Sequence, residues 1–428
     1  MNNLLQGKRL LLLGGSLWKN VIKQFAEENG IVLIATGNNM SAGIFDIAEE
    51  KYNVNSTDFS SMKELIINKH IDGVYMGGAE PVINSACCYL NELSMPCYCT
   101  KTQWDFLQNK KNFKKLCIQM GLPVVPQYEI NPKDIHLEIN KYPVITKPSD
   151  GSGSNGFSVC FNDEELSKGY NIAKKESTLG NVIIEKFVKN KGNVVFYTVS
   201  NGIIYFSGLS DKYPVRYEKQ GSYVGGLFVY ESRFTDEFRK KFEEKIQKII
   251  TYLKVKEGTF WIEVFHNDND YYFNEVGFRY GGSVSIYPTN YFYGINQVAS
   301  DIYYALTGKS KIFGHSSMIP STVPHKKYYA IYPVHLLPGK IEHIMGGDKI
   351  KSNSCIVTLL KAKKIGDIIN DTGSFNQVFS LIHFVFDDID ELKILLEFIR
   401  KSLIILDSNG NDMVNHLLNI NDTKFILK

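Results

Sequence analysis

Residues 257–283, EGTFWIEVFHNDNDYYFNEVGFRYGGS, constrain this chain more than any other stretch. Two runs rich in β-branched and aromatic side chains, 259–265 and 271–276, flank a polar cluster at 267–270, the pattern of two antiparallel strands joined by a turn. With the turn centred on Asn269, Glu263 and Glu275 face one another, because a strand repeats its face every second residue. Opposed like charges destabilise a strand pair. The arrangement therefore calls for a cation between the carboxylates, and a hard ion such as Mg²⁺ suits oxygen ligands. An exposed hairpin with two solvated glutamates is the competing reading of these residues alone. Arg279 lies just beyond, in a chain where six of the 48 basic side chains are arginine. Where lysine is the default cation, an arginine points to the planar fork that clamps phosphate.

At 428 residues the chain exceeds the size of one hydrophobic core, so two or three domains are expected. Its 44% hydrophobic and 22% charged residues are those of an ordinary globular protein. A net charge of +3 gives no ground for nucleic-acid or membrane-surface binding. The longest apolar runs, such as 10–13, are too short for a membrane span, and residues 1–9 lack the features of a secretory leader. Seven cysteines, an odd number without Cys-x-x-Cys spacing, argue for free thiols in a reducing cytoplasm.

In chain order, strands at 8–13, 31–35, 72–76 and 95–99 alternate with helices at 16–28, 61–68 and 79–93, which predicts a parallel doubly wound sheet to about residue 105. The Gly14-Gly15-Ser16 turn could cradle a phosphate, though it lacks the dinucleotide fingerprint, and Glu80 could face a ligand or be an exposed helix-start residue. A lysine-rich helix over 102–120 stops at Gly121-Leu122-Pro123. A strand at 142–146 enters the loop Lys147 to Gly156, rich in Gly and Ser, which could wrap backbone N–H groups round phosphate or be a flexible hairpin loop. Strands at 181–188, 194–200 and 203–208 follow, then a long loop over 210–229, a helix over 236–252, the hairpin, and a helix at 290–306. The tail from 328 alternates strands with one helix at 388–401.

Together, the lysine helix ending in Gly-Leu-Pro, the Lys147-Pro148 strand with its loop, the strand Ile183-Ile184-Glu185-Lys186-Phe187-Val188, and Glu263, Glu275 and Arg279 resemble, in order and spacing, the ATP-grasp superfamily. The resemblance is to the biotin-carboxylase and carbamoyl-phosphate-synthase-like branch that includes L-amino acid ligases. It implies an α/β fold, α+β in its centre: a Rossmann-like pre-ATP-grasp domain at 1–107, an ATP-grasp domain at 108–325 with a lid at about 125–205, and a C-terminal subdomain at 326–428. It also implies ATP and Mg²⁺ as cofactors, with Mn²⁺ as a substitute, small carboxylate and amine substrates, no nucleic-acid or membrane partner, and room for a homodimer.

Carried over residue by residue, the resemblance makes Lys110 and Lys147 phosphate lysines and places Ser152, Gly153 and Ser154 in the loop over the β- and γ-phosphates. Glu185, Lys186, Phe187 and Val188 become the adenine strand and Asn193 the ribose residue, Glu263 and Glu275 the metal ligands, and Arg279 the catalytic arginine. Arg216, Gly281, Gly282 and His325 are substrate-side candidates, with Lys326 beside them, and a solvated surface arginine is the competing reading of Arg216. Gly277 stands where the family usually has a metal-binding asparagine, and no acid follows Gly192 to grip a ribose. The implied reaction is amide formation through an acyl phosphate; a bicarbonate-using carboxylase and a regulatory protein with weakened catalysis are the alternatives.

Overall fold

The computed structural model describes residues 4–132, 134–149, 156–188, 191–267, 270–314 and 318–420. Its N-terminal part is a four-stranded parallel sheet in the order Glu50–Tyr52, Val32–Thr36, Arg9–Leu12, Gly73–Tyr75. The expected strand at 95–99 is absent; the fourth strand is Glu50–Tyr52, paired at the edge beside Val32–Thr36. Pro96 removes a ladder donor from that segment, which is tied by side chains: Asn91 donates to the Cys99 carbonyl and Tyr98 to that of Phe278. The Gly14 and Gly77 turns meet beyond the carboxyl ends of Arg9–Leu12 and its neighbour Gly73–Tyr75, where a Cβ on Gly77 would lie 2.7 Å from the Gly14 Cα.

The expected single helix over 102–120 is two, Lys101–Gln108 and Lys110–Gln119. Asn109 interrupts them in an extended conformation, and its side-chain oxygen accepts from the Lys111 and Asn112 N–H groups, satisfying donors that a helix start leaves orphaned. Lys110 becomes the first residue of the second helix.

An eight-stranded sheet dominates the rest: Asp270–Gly277, Gly258–Asn267, Lys191–Ser200, Ile203–Tyr217, Ser222–Tyr230, Tyr328–His335, Val378–Phe386 and Ile356–Lys361. Two expectations change here. Residues 210–229 are not a long loop but the bodies of two long paired strands. Lys191–Ser200 belongs to this sheet, so the small sheet of the lid, Val144–Pro148 between Ser158–Cys160 and Val182–Lys186, ends well before 205. The large sheet also crosses the expected boundary at 325/326 without interruption.

The sheet has two unlike faces. On one, Val195, Tyr197, Ile262, Val264 and Phe273 pack under the helix Thr235–Tyr252 through Phe238, Phe242, Ile246 and Ile249, and against Phe113, Leu116 and Cys117 of the helix Lys110–Gln119. On the other, Val194, Phe196, Phe228 and Tyr230 pack against Trp18, Tyr75 and the helix Gln297–Thr307. The expected helix at 290–306 is likewise two, Ile286–Tyr293 and Gln297–Thr307, with Gly294 closing the first and Asn296 capping the second. Among the described residues no helix is long and apolar enough to cross a membrane, and all seven cysteines are free.

Candidate active site

The hairpin forms, and Glu263 is the cross-strand partner of Glu275. The register reaches this pairing by a route the alternation does not contain. Around the tip, Asn267 pairs with Asp270 and Val264 with Phe273; the ladder then shifts by one residue, leaving Asn274 as a bulge. Without it Glu263 would face Asn274. A bulge re-aims side chains next to functional sites, and here the Asn274 amide donates to Glu263 at 2.7 Å.

Two lysines reach the carboxylates from opposite sides. Lys110 lies 3.1 Å from Glu275 and Lys212 2.6 Å from Glu263. The Glu263 carboxyl is held below its ordinary range: burial works against its charge, but Lys212 and Asn274 outweigh it. The Lys212 ammonium is correspondingly held charged, Glu263 overcoming the effect of burial. These opposed carboxylates, with the Asn274 amide oxygen buried and hydrogen-bonded to no group, are the oxygen donors a hard divalent cation takes. Among the described residues no three His, Cys, Asp or Glu side chains gather as a ligand set, so a cation here would draw its remaining ligands from phosphate and water.

A second charged cluster sits under the lid. Glu185 is fully buried, with Lys147 at 2.6 Å, Gln127 at 2.9 Å and Lys114 in direct contact. Burial would neutralise Glu185, yet the two lysines hold its carboxyl down at about 2. Lys114 is pulled down to about 8 by burial, with Lys147 and Lys110 adding to the effect against Glu185. Lys114 is the member of this cluster that the sequence reading missed. The available signal was its spacing, since i and i+4 share a helix face and Lys110 begins that face. The role expected of Glu185 also changes: its carboxylate is committed to lysines and is not offered to a base. The N–H groups of Lys186 and Phe187 are given to the Pro126 and Pro143 carbonyls at 3.0 and 2.9 Å; the Lys186 side chain is exposed and Val188 is buried. Ser152, Gly153 and Ser154 lie outside the described residues.

Arg279 leaves the hairpin at its open end and ties it to the N-terminal domain. Its Nη2 and Nε donate to Glu80 at 2.7 and 3.0 Å, and Nη1 to the Tyr280 carbonyl at 2.8 Å. Glu80 is the first residue of the helix Glu80–Glu92. The guanidinium also lies 5.2 Å from the ring centre of Trp261, a cation–π contact. Trp261 is the cross-strand partner of Gly277, and a Cβ on Gly277 would fall 2.1 Å from the indole nitrogen. Gly277 is thus the space into which the indole lies. Next to Arg279, the Tyr280 hydroxyl donates to Asp301, whose carboxyl burial raises to about 7.

The remaining candidates separate. Asn193 sits on the face opposite Glu263, 1% exposed, with its amide on Asp211 at 2.7 Å; a ribose on the carboxylate face cannot meet it, and the parity of its strand is the reason. Arg216 lies on the same strand as Lys212 but four residues on, half exposed beside Glu218 and the ring of Tyr223. His325 stacks on Tyr291 at 5.5 Å, and Lys326 pairs with Asp387 at 2.9 Å and Glu391 at 3.2 Å. A Cβ on Gly281 would lie 3.0 Å from Phe196, whereas Gly282 is open. Beside Glu80 opens a cleft of about 600 Å³, with Asn84, Asp105 and Gln108 on the N-terminal side and Ser149 and Asn181 on the lid side.

Residues 115–286 match the model of the ATP-grasp domain. The chain is 24% identical over 282 residues to a formate-dependent phosphoribosylglycinamide formyltransferase of Bacillus velezensis, covering 64% of this chain and 71% of that one. Among solved structures it resembles an L-amino acid ligase from Bacillus licheniformis, with TM-score 0.73, 18% identity, and coverage of 94% of this chain and 100% of that one. It also resembles the biotin carboxylase domain of 2-oxoglutarate carboxylase from Hydrogenobacter thermophilus, solved with MgADP and bicarbonate, with TM-score 0.72, 17% identity, and coverage of 94% and 91%.

Proposed function

For this ATP-grasp protein, with its ATP-grasp domain at residues 115–286, we propose the activity of an ATP-dependent carboxylate–amine ligase with an amino acid among its substrates. The observation that carries the reading is the opposed pair Glu263 and Glu275, each balanced by its own lysine, with Arg279 at the open end of the same hairpin. Such a pair is built to exchange its lysines for a divalent cation and so free positive charge for a polyphosphate.

A carboxylate cannot be attacked by an amine until its oxygen is made a leaving group. In the first step a substrate carboxylate oxygen forms a bond to the γ-phosphorus of ATP, the bond to the β-phosphate oxygen breaks, and ADP departs. In the second the amine lone pair attacks the acyl carbon, the bond to the phosphate oxygen breaks, and the nitrogen loses a proton, leaving an amide and phosphate. Phosphoryl transfer asks the protein for positioning and charge neutralisation rather than a side-chain nucleophile. Lys110, Lys114 and Lys147 supply fixed positive charge on the lid side. Glu263 and Glu275 would hold Mg²⁺, which when bound neutralises phosphate oxygens. Arg279, whose fork is held by Glu80 and the Tyr280 carbonyl, would turn it to the transferred phosphoryl group, and closure of the lid keeps water from the acyl phosphate. The cleft beside Glu80 is lined by the amides of Asn84, Gln108 and Asn181 together with Asp105 and Lys111, a polar lining with both donors and acceptors for a substrate.

The relatives named above point to formate, an amino acid and bicarbonate as carboxyl substrates of those proteins. The test is to incubate the protein with ATP and Mg²⁺ against pools of amino acids, other small carboxylates and bicarbonate, to follow ADP release, and to trap acyl phosphate with hydroxylamine. Stimulated ADP release with a hydroxamate from one pool is the expected result. ATP binding without stimulation by any pool overturns the ligase reading.

A further inference from the structure

Lys212 is a cation of the centre to which the ligase chemistry above assigns no task. It does not belong with the nucleotide lysines. Lys110 and Lys114 stand on the helix Lys110–Gln119 and Lys147 on the lid sheet, and both elements lie toward the sheet edge formed by Asp270–Gly277, where the Phe273 N–H bonds the Pro123 carbonyl at the entrance to the lid. Lys212 comes from the interior of the sheet, on Ile203–Tyr217, two strands from the one that carries Glu263. Two strand spacings are about 10 Å, and the lysine spans them over Gly192, its cross-strand neighbour, which has no side chain to obstruct the path. The ammonium ends 2.6 Å from Glu263.

The two carboxylates can therefore give up their lysines in opposite directions. A divalent cation held by Glu263 and Glu275 would compete with both ammonium groups for the carboxylates that hold them. Lys110 would then be available to nucleotide phosphates on its own side. Lys212 is largely enclosed, with its side chain 27% exposed, and an enclosed ammonium without a counter-ion is costly. Another anion must then meet it on the side of the carboxylate pair away from the lid. The anion the reaction must bring to the γ-phosphate is the carboxylate about to be phosphorylated.

Resting on the ligase reading, we propose that Lys212 is the anion subsite for the acyl substrate: it guards Glu263 until the metal arrives and then turns to the substrate carboxylate and to the acyl phosphate formed from it. A lysine suits this exchange better than an arginine, because a compact ammonium on a flexible stem trades one oxygen partner for another without a fixed fork.

The probe is 2-oxopropylphosphonate, in which a methylene replaces the bridging oxygen of acetyl phosphate, titrated by calorimetry into the 428-residue protein saturated with MgADP. In Lys212→Met the affinity for MgADP should change less than threefold while that for 2-oxopropylphosphonate falls at least tenfold. Lys212→Gln, which keeps a hydrogen bond to Glu263, repeats the measurement should the methionine variant fail to fold. An equal fall in MgADP affinity would make Lys212 a nucleotide ligand and overturn the proposal. So would undiminished analogue binding in the variants, or no analogue binding by the parent. The ligase reading fails on a different signal, the absence of ADP release with every carboxylate pool, so a parent that releases ADP with a pool but shows no Lys212 dependence loses only the subsite.

Discussion

Gly277→Ala gives the sharpest test of the packing behind Arg279. Gly277 is absent from the glycines with positive φ, so its backbone accepts any residue and the constraint is space alone. The added Cβ would lie 2.1, 2.2 and 2.5 Å from the Nε1, Cε2 and Cζ2 atoms of Trp261, distances that force the indole to move. Overpacking of this kind costs about 1–3 kcal/mol. The displaced ring also loses its place beneath the guanidinium, a contact worth about 0.5–2 kcal/mol. With Trp261 already truncated to alanine the same substitution meets no ring. A glycine-to-alanine change in permissive backbone then stabilises by about 0.4–1 kcal/mol, because the unfolded chain loses freedom. The effect of Gly277→Ala should therefore change sign between the two backgrounds, with a coupling of about 2–6 kcal/mol in a double-mutant cycle. Urea unfolding of the four proteins measures it. Equal costs of Gly277→Ala with and without the indole would refute the reasoning.

How far the site could be read from sequence depended on which physical rule each residue obeyed. Glu263 and Glu275 were legible because alternation and a polar turn set strand pairing to within a residue, yet the Asn274 bulge that aligns them leaves no mark in an alternating pattern. Residues 210–229 looked like a loop because Pro214, Gly225 and Gly226 are loop residues by propensity. In the fold these glycines serve space: a Cβ on Gly225 would meet the Phe228 ring at 2.4 Å and one on Gly226 the Val215 side chain at 2.3 Å. Local propensity cannot see Val215, which the other strand brings against Gly226. Lys114 was obscured by a helix read as continuous, since the break at Asn109 that sets the helix start is a capping event rather than a change in periodicity. Asn193 went the other way: its type suited a ribose, but strand parity turned it to the opposite face. The order of the motifs carried the fold; contacts between distant segments decided which side chains share the centre.

Three further outcomes follow from the charges. Arg279→Lys keeps a cation but loses the fork, so turnover should fall about a hundredfold or more while MgADP affinity by calorimetry stays within about threefold; unchanged turnover removes the phosphate-clamp role. Lys114→Met strips one of two lysines from fully buried Glu185, which keeps Lys147, and should destabilise the protein by about 1–3 kcal/mol, the cost of removing one partner of a buried polar group. Adding Glu185→Gln should recover part of that loss in urea unfolding, and no recovery would show that the pair is not coupled. Asp301 sets a slope with pH. Its carboxyl titrates near 7 in the fold against 3.8 as a free group, so between those values the folded state binds the extra proton and stability declines as pH rises. Stability from this group is fully present below about pH 4 and lost through pH 7, with an upper limit on the order of 4 kcal/mol at about 1.4 kcal/mol per unit. Asp301→Asn still accepts from Tyr280 but carries no charge, so it should exceed the parent in unfolding midpoint at pH 8 and lose that advantage at pH 4.5. Parallel pH profiles for the two proteins would place the Asp301 proton elsewhere and remove the argument.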